Sequence, residues 1–105
     1  MQSQIIFSGS RYDERTSQRI GALYASLAGA PEDAVELTLR RNWVQIIDKT
    51  EPFVIAEMRV GENAEEALAD TRKMLETTRT ALQEHEVVQA IRNWLDCYPA
   101  ARVQF

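Results

Sequence analysis

The side chains able to make or break bonds are few. The chain has one histidine, His85, and one cysteine, Cys97. A zinc-type centre needs three or four converging ligands. Glu84-His85-Glu86 supplies three in a row, but adjacent residues on a helix point in different directions, so the sequence assigns no metal site. Cys97 has no histidine-type base near it in sequence to raise its thiolate fraction, and it reads as a small buried hydrophobe. Four scattered glycines form neither a phosphate-cradling loop nor a Gly-x-Ser-x-Gly elbow. Ser8-Gly9-Ser10 with Arg11 offers backbone N–H groups to an anion, although a polar turn after a strand needs no ligand to explain it. The carboxylate pairs Asp13-Glu14 and Glu65-Glu66 stand at helix starts, where the peptide dipoles already favour them. What remains is Arg40, Arg41 and Trp43, a basic-aromatic cluster able to pair and stack; its plainer reading is strand-end charge beside a core tryptophan. No catalytic residue and no cofactor is assigned, and Arg40 and Arg41 are the candidates for binding an anion.

The elements that must position these residues come from one domain spanning residues 1–105. With 45% hydrophobic and 27% charged residues and a formal charge of −4, the chain has the composition of a folded globule and not of a disordered segment. No run approaches the roughly 20 apolar residues of a membrane span, and no signal-peptide pattern opens the chain. A single cysteine fits a reducing compartment, so the expected location is the cytoplasm. The acidic surplus is present in both halves, which disfavours nucleic acid, whose binding depends on neutralising phosphates.

Ile5-Ile6-Phe7 reads as a short strand closed by Ser8-Gly9-Ser10. From Asp13 to Ala28 the period becomes helical, with Ile20, Leu23, Tyr24 and Leu27 on one face and Gly29 and Pro31 beyond the end. Val35 to Leu39 alternates as a strand. The phase then slips, Trp43 keeping the odd positions while Val44 and Ile46 take the even, which predicts a bulge or a turn near Arg41-Asn42. Asp48 to Pro52 is a turn by composition. Phe53 to Val60 is a strand with Val54, Ala56, Met58 and Val60 on one side and Phe53 and Ile55 on the other. Asn63 with Glu66 makes a helix-capping pair. Leu68, Leu75 and Leu82 recur at seven, and a second stripe of Val87, Val88, Ile91, Trp94, Leu95 and Tyr98 follows, with a bend expected near His85. Val103 and Phe105 supply a last strand. The order strand, helix, strand, strand, helix with an extra helix, strand predicts an α+β fold: a ferredoxin-like split β-α-β (βαββαβ) sandwich with an extra C-terminal helix.

Over about residues 4–61 the pattern resembles the tautomerase (macrophage migration inhibitory factor) superfamily. The resemblance lies in the strand at Ile5-Phe7, a helix ending Leu27-Ala28-Gly29-Ala30-Pro31, then Val35-Glu36-Leu37-Thr38-Leu39 and a strand at Phe53-Val60. It implies trimer-like association and an isomerase acting on small keto-enol acids, with Arg40 or Arg41 holding a carboxylate. That family works through an N-terminal proline, and here Gln2 follows Met1.

The leading functional expectation is a small acidic non-catalytic domain that works through protein contacts, as a homo-oligomer, an adaptor or a small inhibitor of a partner protein. The interface residues are expected to be Phe53, Ile55, Trp94 and Tyr98. The tautomerase-like isomerase is the alternative, and RNA binding through the sheet face is the third reading.

Overall fold

The computed structural model describes residues 13–28, 30, 31, 33–51 and 53–104 in full and Glu32 by its backbone. The expected strand at Ile5-Phe7, the expected polar turn Ser8-Gly9-Ser10, and Gly29 and Phe105 lie outside them. The described elements are α1 (Glu14–Ala28), a 3-10 turn (Glu32–Ala34), β1 (Val35–Arg40), β2 (Trp43–Asp48), β3 (Phe53–Arg59), α2 (Ala64–Thr80), α3 (Glu84–Cys97) and β4 (Arg102–Val103). Their sheet is antiparallel throughout, in the order β1-β2-β3-β4. The α+β class stands. The split β-α-β order does not: the described chain runs α-β-β-β-α-α-β, and its strands lie side by side in chain order.

The extra strand between α1 and α2 has a local cause. The slip after Leu39 is a two-residue turn, Arg41-Asn42, with Arg40 opposite Trp43 and Leu39 opposite Val44. One bulged strand is thus a hairpin of two, and Arg41 takes the left-handed region at φ 57°. Because the turn inverts the phase, Val35, Leu37 and Leu39 share a sheet face with Val44 and Ile46. Trp43 then falls on the opposite face, where it is half-buried, and not in the core.

A second irregularity reorders β3. Ile46 pairs with Ala56 and Ile47 with Val54, so Ile55 is the extra residue of a bulge. Ile55 and Ala56 are consequently both buried, at 1% exposure each, although strict alternation would separate them. Ile55 is therefore core and not surface left for a neighbour. Phe53, at the strand's first position, remains 43% exposed.

Helix α1 starts where Asp13 accepts the Thr16 amide at 2.7 Å, a short-range N-terminal cap that also lowers the Asp13 pKa. Ile20 and Leu23 are wholly buried. Helix α2 starts at Ala64 as expected, but the Asn63 side chain makes no capping bond. It ends at Thr80, before the Leu82 that a heptad stripe would include. No glycine or proline breaks it. Instead Thr77, Thr78 and Thr80 turn their hydroxyls back onto the carbonyls of Lys73, Leu75 and Glu76; such bonds and β-branching both weaken a helix. Ala81 is extended, Leu82 is 96% exposed, and α3 begins at Glu84. The expected bend is there, a few residues earlier than His85.

Candidate functional site

Three helices roof one face of the sheet. Ile20 and Leu23 from α1, Ala67, Met74 and Leu75 from α2, and Ile91 and Leu95 from α3 form one core with Val44, Ile46, Ala56, Met58 and Val103. The described molecule thus presents two surfaces able to recognise something: the outer groove between α2 and α3, and the far face of the sheet.

The groove is about 490 Å³ in volume. Its lining includes Met74, Ala90 and Trp94 as apolar residues, with Asp70, Lys73 and Glu86 as the charged ones. His85, Gln89, Asn93 and Cys97 also line it; spaced by four, they form one row along α3. Gln89 donates to Asn93 Oδ1 at 2.9 Å within that row. His85 and Cys97 are twelve residues apart on the same helix, about 18 Å at 1.5 Å per residue. They share a groove without being able to share a proton. Cys97 is exposed, which corrects its expected burial. Among the described residues no three histidine, cysteine or acidic side chains converge on a metal-sized space.

Beneath the groove two polar pairs lock α2 to α3. Trp94 Nε1 donates to Thr71 Oγ1 at 2.9 Å, and Thr71 donates in turn to the Ala67 carbonyl at 2.7 Å. Thr71 is fully buried and Trp94 only 4% exposed, so each polar group here has replaced water with a partner. At the end of α3 the Tyr98 hydroxyl donates to Asp70 Oδ2 at 2.6 Å. Of the four expected interface residues, Ile55 and Trp94 therefore belong to the core, Tyr98 is half-buried and bound to Asp70, and Phe53 alone is substantially open.

Burial, and then the hydrogen bond to Asp70, push the Tyr98 pKa upward. A phenol that holds its proton more tightly folded than unfolded stabilises the protein below the ordinary value of 10.0, and that contribution falls as pH rises past it. The urea midpoint is expected to drop between pH 9 and pH 11 in the wild type, and Tyr98→Phe should flatten part of that drop. Identical slopes in the two proteins would contradict the linkage.

The far face of the sheet is organised in rows by the register. Next to the hairpin turn, Arg40, Trp43 and Arg59 lie directly opposite one another across β1, β2 and β3. The next row on that face is Thr38, Gln45, Glu57 and Arg102, and the third is Glu36, Ile47 and Val54. Gln45 Nε2 donates to Glu57 Oε2 at 3.1 Å. Sequence reasoning named Arg40 and Arg41 but missed Arg59, which is distant along the chain and arrives through β3 pairing alone. The slip in phase was the available signal, since a turn at Arg41-Asn42 carries Trp43 to the outer face.

No protein-family model, curated protein or solved structure matches the chain. Among the described residues no helix is long and apolar enough to cross a membrane.

Proposed function

We propose that this is a small acidic cytoplasmic domain that acts without catalysis, by holding a segment of another protein in the groove between α2 and α3. The groove itself carries the reading: an opening of about 490 Å³ between two packed helices is the kind of surface into which an amphipathic helix lays its apolar face. Met74, Ala90 and Trp94 line it alongside two acids, Asp70 and Glu86, and one base, Lys73. That combination suits an amphipathic helical segment with an apolar stripe and basic flanks. The chain's net charge of −4 favours such a partner by steering its approach more than by adding affinity. Trp94 enters here as part of the groove lining, and Tyr98 as the residue that fixes Asp70 beside it.

The test is a partner capture compared between wild type and Ala90→Glu, with folding of both checked by amide spectra. Ala90 lines the groove and is half-buried, and glutamate is a good helix former, so the substitution blocks the groove without removing core. Proteins recovered with the wild type and lost with Ala90→Glu are the expected result. Sedimentation velocity across concentration identifies a second copy as the occupant if a dimer forms and Ala90→Glu abolishes it. The same proteins recovered with both chains, and a monomer at every concentration, would overturn the proposal.

A further inference from the structure

The row Arg40-Trp43-Arg59 lies on the opposite face of the sheet from the helices and has no part in the groove. Directly opposite residues of an antiparallel pair have Cβ atoms about 5 Å apart. The two arginines therefore flank the tryptophan at a separation of about 10 Å, two strand spacings. Arg41 adds a third guanidinium at the adjoining turn. Arg40, Arg41 and Arg59 are all exposed, and none of them forms a salt bridge among the described residues, where the one ion pair is Arg92 with Asp96 at 3.7 Å. Three guanidiniums without an ion pair among the described residues, gathered around one half-buried indole, stand out on a chain of charge −4.

The backbone adds an independent sign. Arg41 occupies φ 57°, a conformation that an L-residue with a side chain adopts at a cost and that glycine adopts freely. A hairpin selected for stability alone would place glycine or asparagine at the Arg41 position, whereas here the asparagine is the second turn residue, Asn42. The first carries a cation instead.

We propose that this end of the sheet binds a free mononucleotide, its base stacked on Trp43 and its phosphate held by Arg40 and Arg59 with Arg41 assisting. An indole offers a planar surface that any base can stack on, and guanidinium forks match phosphate oxygens in geometry and charge. The same face favours a single phosphate group over a longer polyanion. The arginine pair with an aromatic between them occurs only in the row beside the turn; the next row carries Glu57 with Arg102 opposite it, and the third carries Glu36. A continuing phosphate backbone would meet those carboxylates, whereas one nucleotide fits the single tryptophan.

The experiment is a titration of the full chain with AMP, read by the two indole N–H resonances, with adenosine, inorganic phosphate and an oligoadenylate of ten nucleotides as parallel arms. AMP is expected to move the Trp43 resonance saturably at millimolar concentrations or below, while the Trp94 resonance, whose N–H is bound to Thr71, stays in place. Adenosine and phosphate alone should each bind at least about tenfold more weakly, as should the double variant Arg40→Gln/Arg59→Gln. Arg41→Gly separates binding from folding, because it relieves the left-handed strain: thermal midpoint should rise while AMP affinity falls. A Trp43 resonance unmoved by about 10 mM AMP, equal affinity for phosphate or adenosine, or an undiminished affinity in the double variant would overturn the proposal. Tighter binding of the oligoadenylate per nucleotide site would overturn it in favour of a single strand.

Discussion

Trp94→Ala is expected to lower the unfolding free energy by about 3–5 kcal/mol, the usual cost of deleting a large aromatic side chain from a core. A domain of this size has only about 5–15 kcal/mol in total, so the variant should lose a large fraction of its stability. The indole is 4% exposed, stands 6.2 Å from the Tyr98 ring centroid, and gives its N–H to Thr71. Trp94→Phe separates the contributions, since it keeps most of the ring and loses the hydrogen bond, at about 1–2 kcal/mol. The measurement is the urea midpoint at constant slope. A midpoint that stays put while self-association weakens would return Trp94 to the interface where its sequence context places it.

The second large effect belongs to Arg19. Its guanidinium is buried at 7% exposure and donates to the carbonyl of Ala101. Burial, followed by the charge of Arg15, pushes its pKa down. Arg19→Met keeps the packing of the side-chain stem but leaves the buried Ala101 region (2% exposed) short of a donor, at about 2–3 kcal/mol. Arg19→Lys should recover part of that, because an ammonium can still donate, though without the planar fork. The site of the damage is also specified. The Gln104 amide, bound to the Ile55 carbonyl at 2.8 Å, should lose hydrogen-exchange protection before the amides of β2 do. Uniform loss of protection along the chain, or none, would show that Arg19 does not hold the C-terminal segment to α1.

How much of this was legible in the sequence depended on whether one period governed a segment. In α1 a single helical stripe, with Asp13 before it and Pro31 after it, placed both ends and the buried Ile20 and Leu23. The slip between Leu39 and Val44 was visible as well, and its two explanations, bulge or turn, differed only in whether the strand ended. The bulge at Ile55 was hidden, because an extra residue in β3 is defined by its pairing with β2 and leaves no mark in its own alternation. The break after Thr80 was equally hidden: heptad arithmetic carried the leucine stripe through Leu82, whereas the helix ends in a threonine-rich turn of low helix propensity without glycine or proline. Candidate-site residues followed the same division. Arg40 and Arg41 were visible as neighbours in sequence, whereas Arg59 joins them only across two ladders, and Ile55 and Trp94 looked like interface because their own side of the element was apolar.

The strands being side by side in chain order has a bearing on how the protein reaches its native state. Each pairing from β1 through β3 closes over a short stretch of chain, so the entropy lost in forming that meander is small. The final clasp is of another kind, since Arg19 and Ala101 are 82 positions apart and can meet only once the intervening architecture is assembled. Interactions that arrive so late govern how quickly the native state is lost more than how quickly it forms. The Arg19 clasp is therefore expected to act as a kinetic latch, so that Arg19→Met speeds unfolding far more than it slows folding.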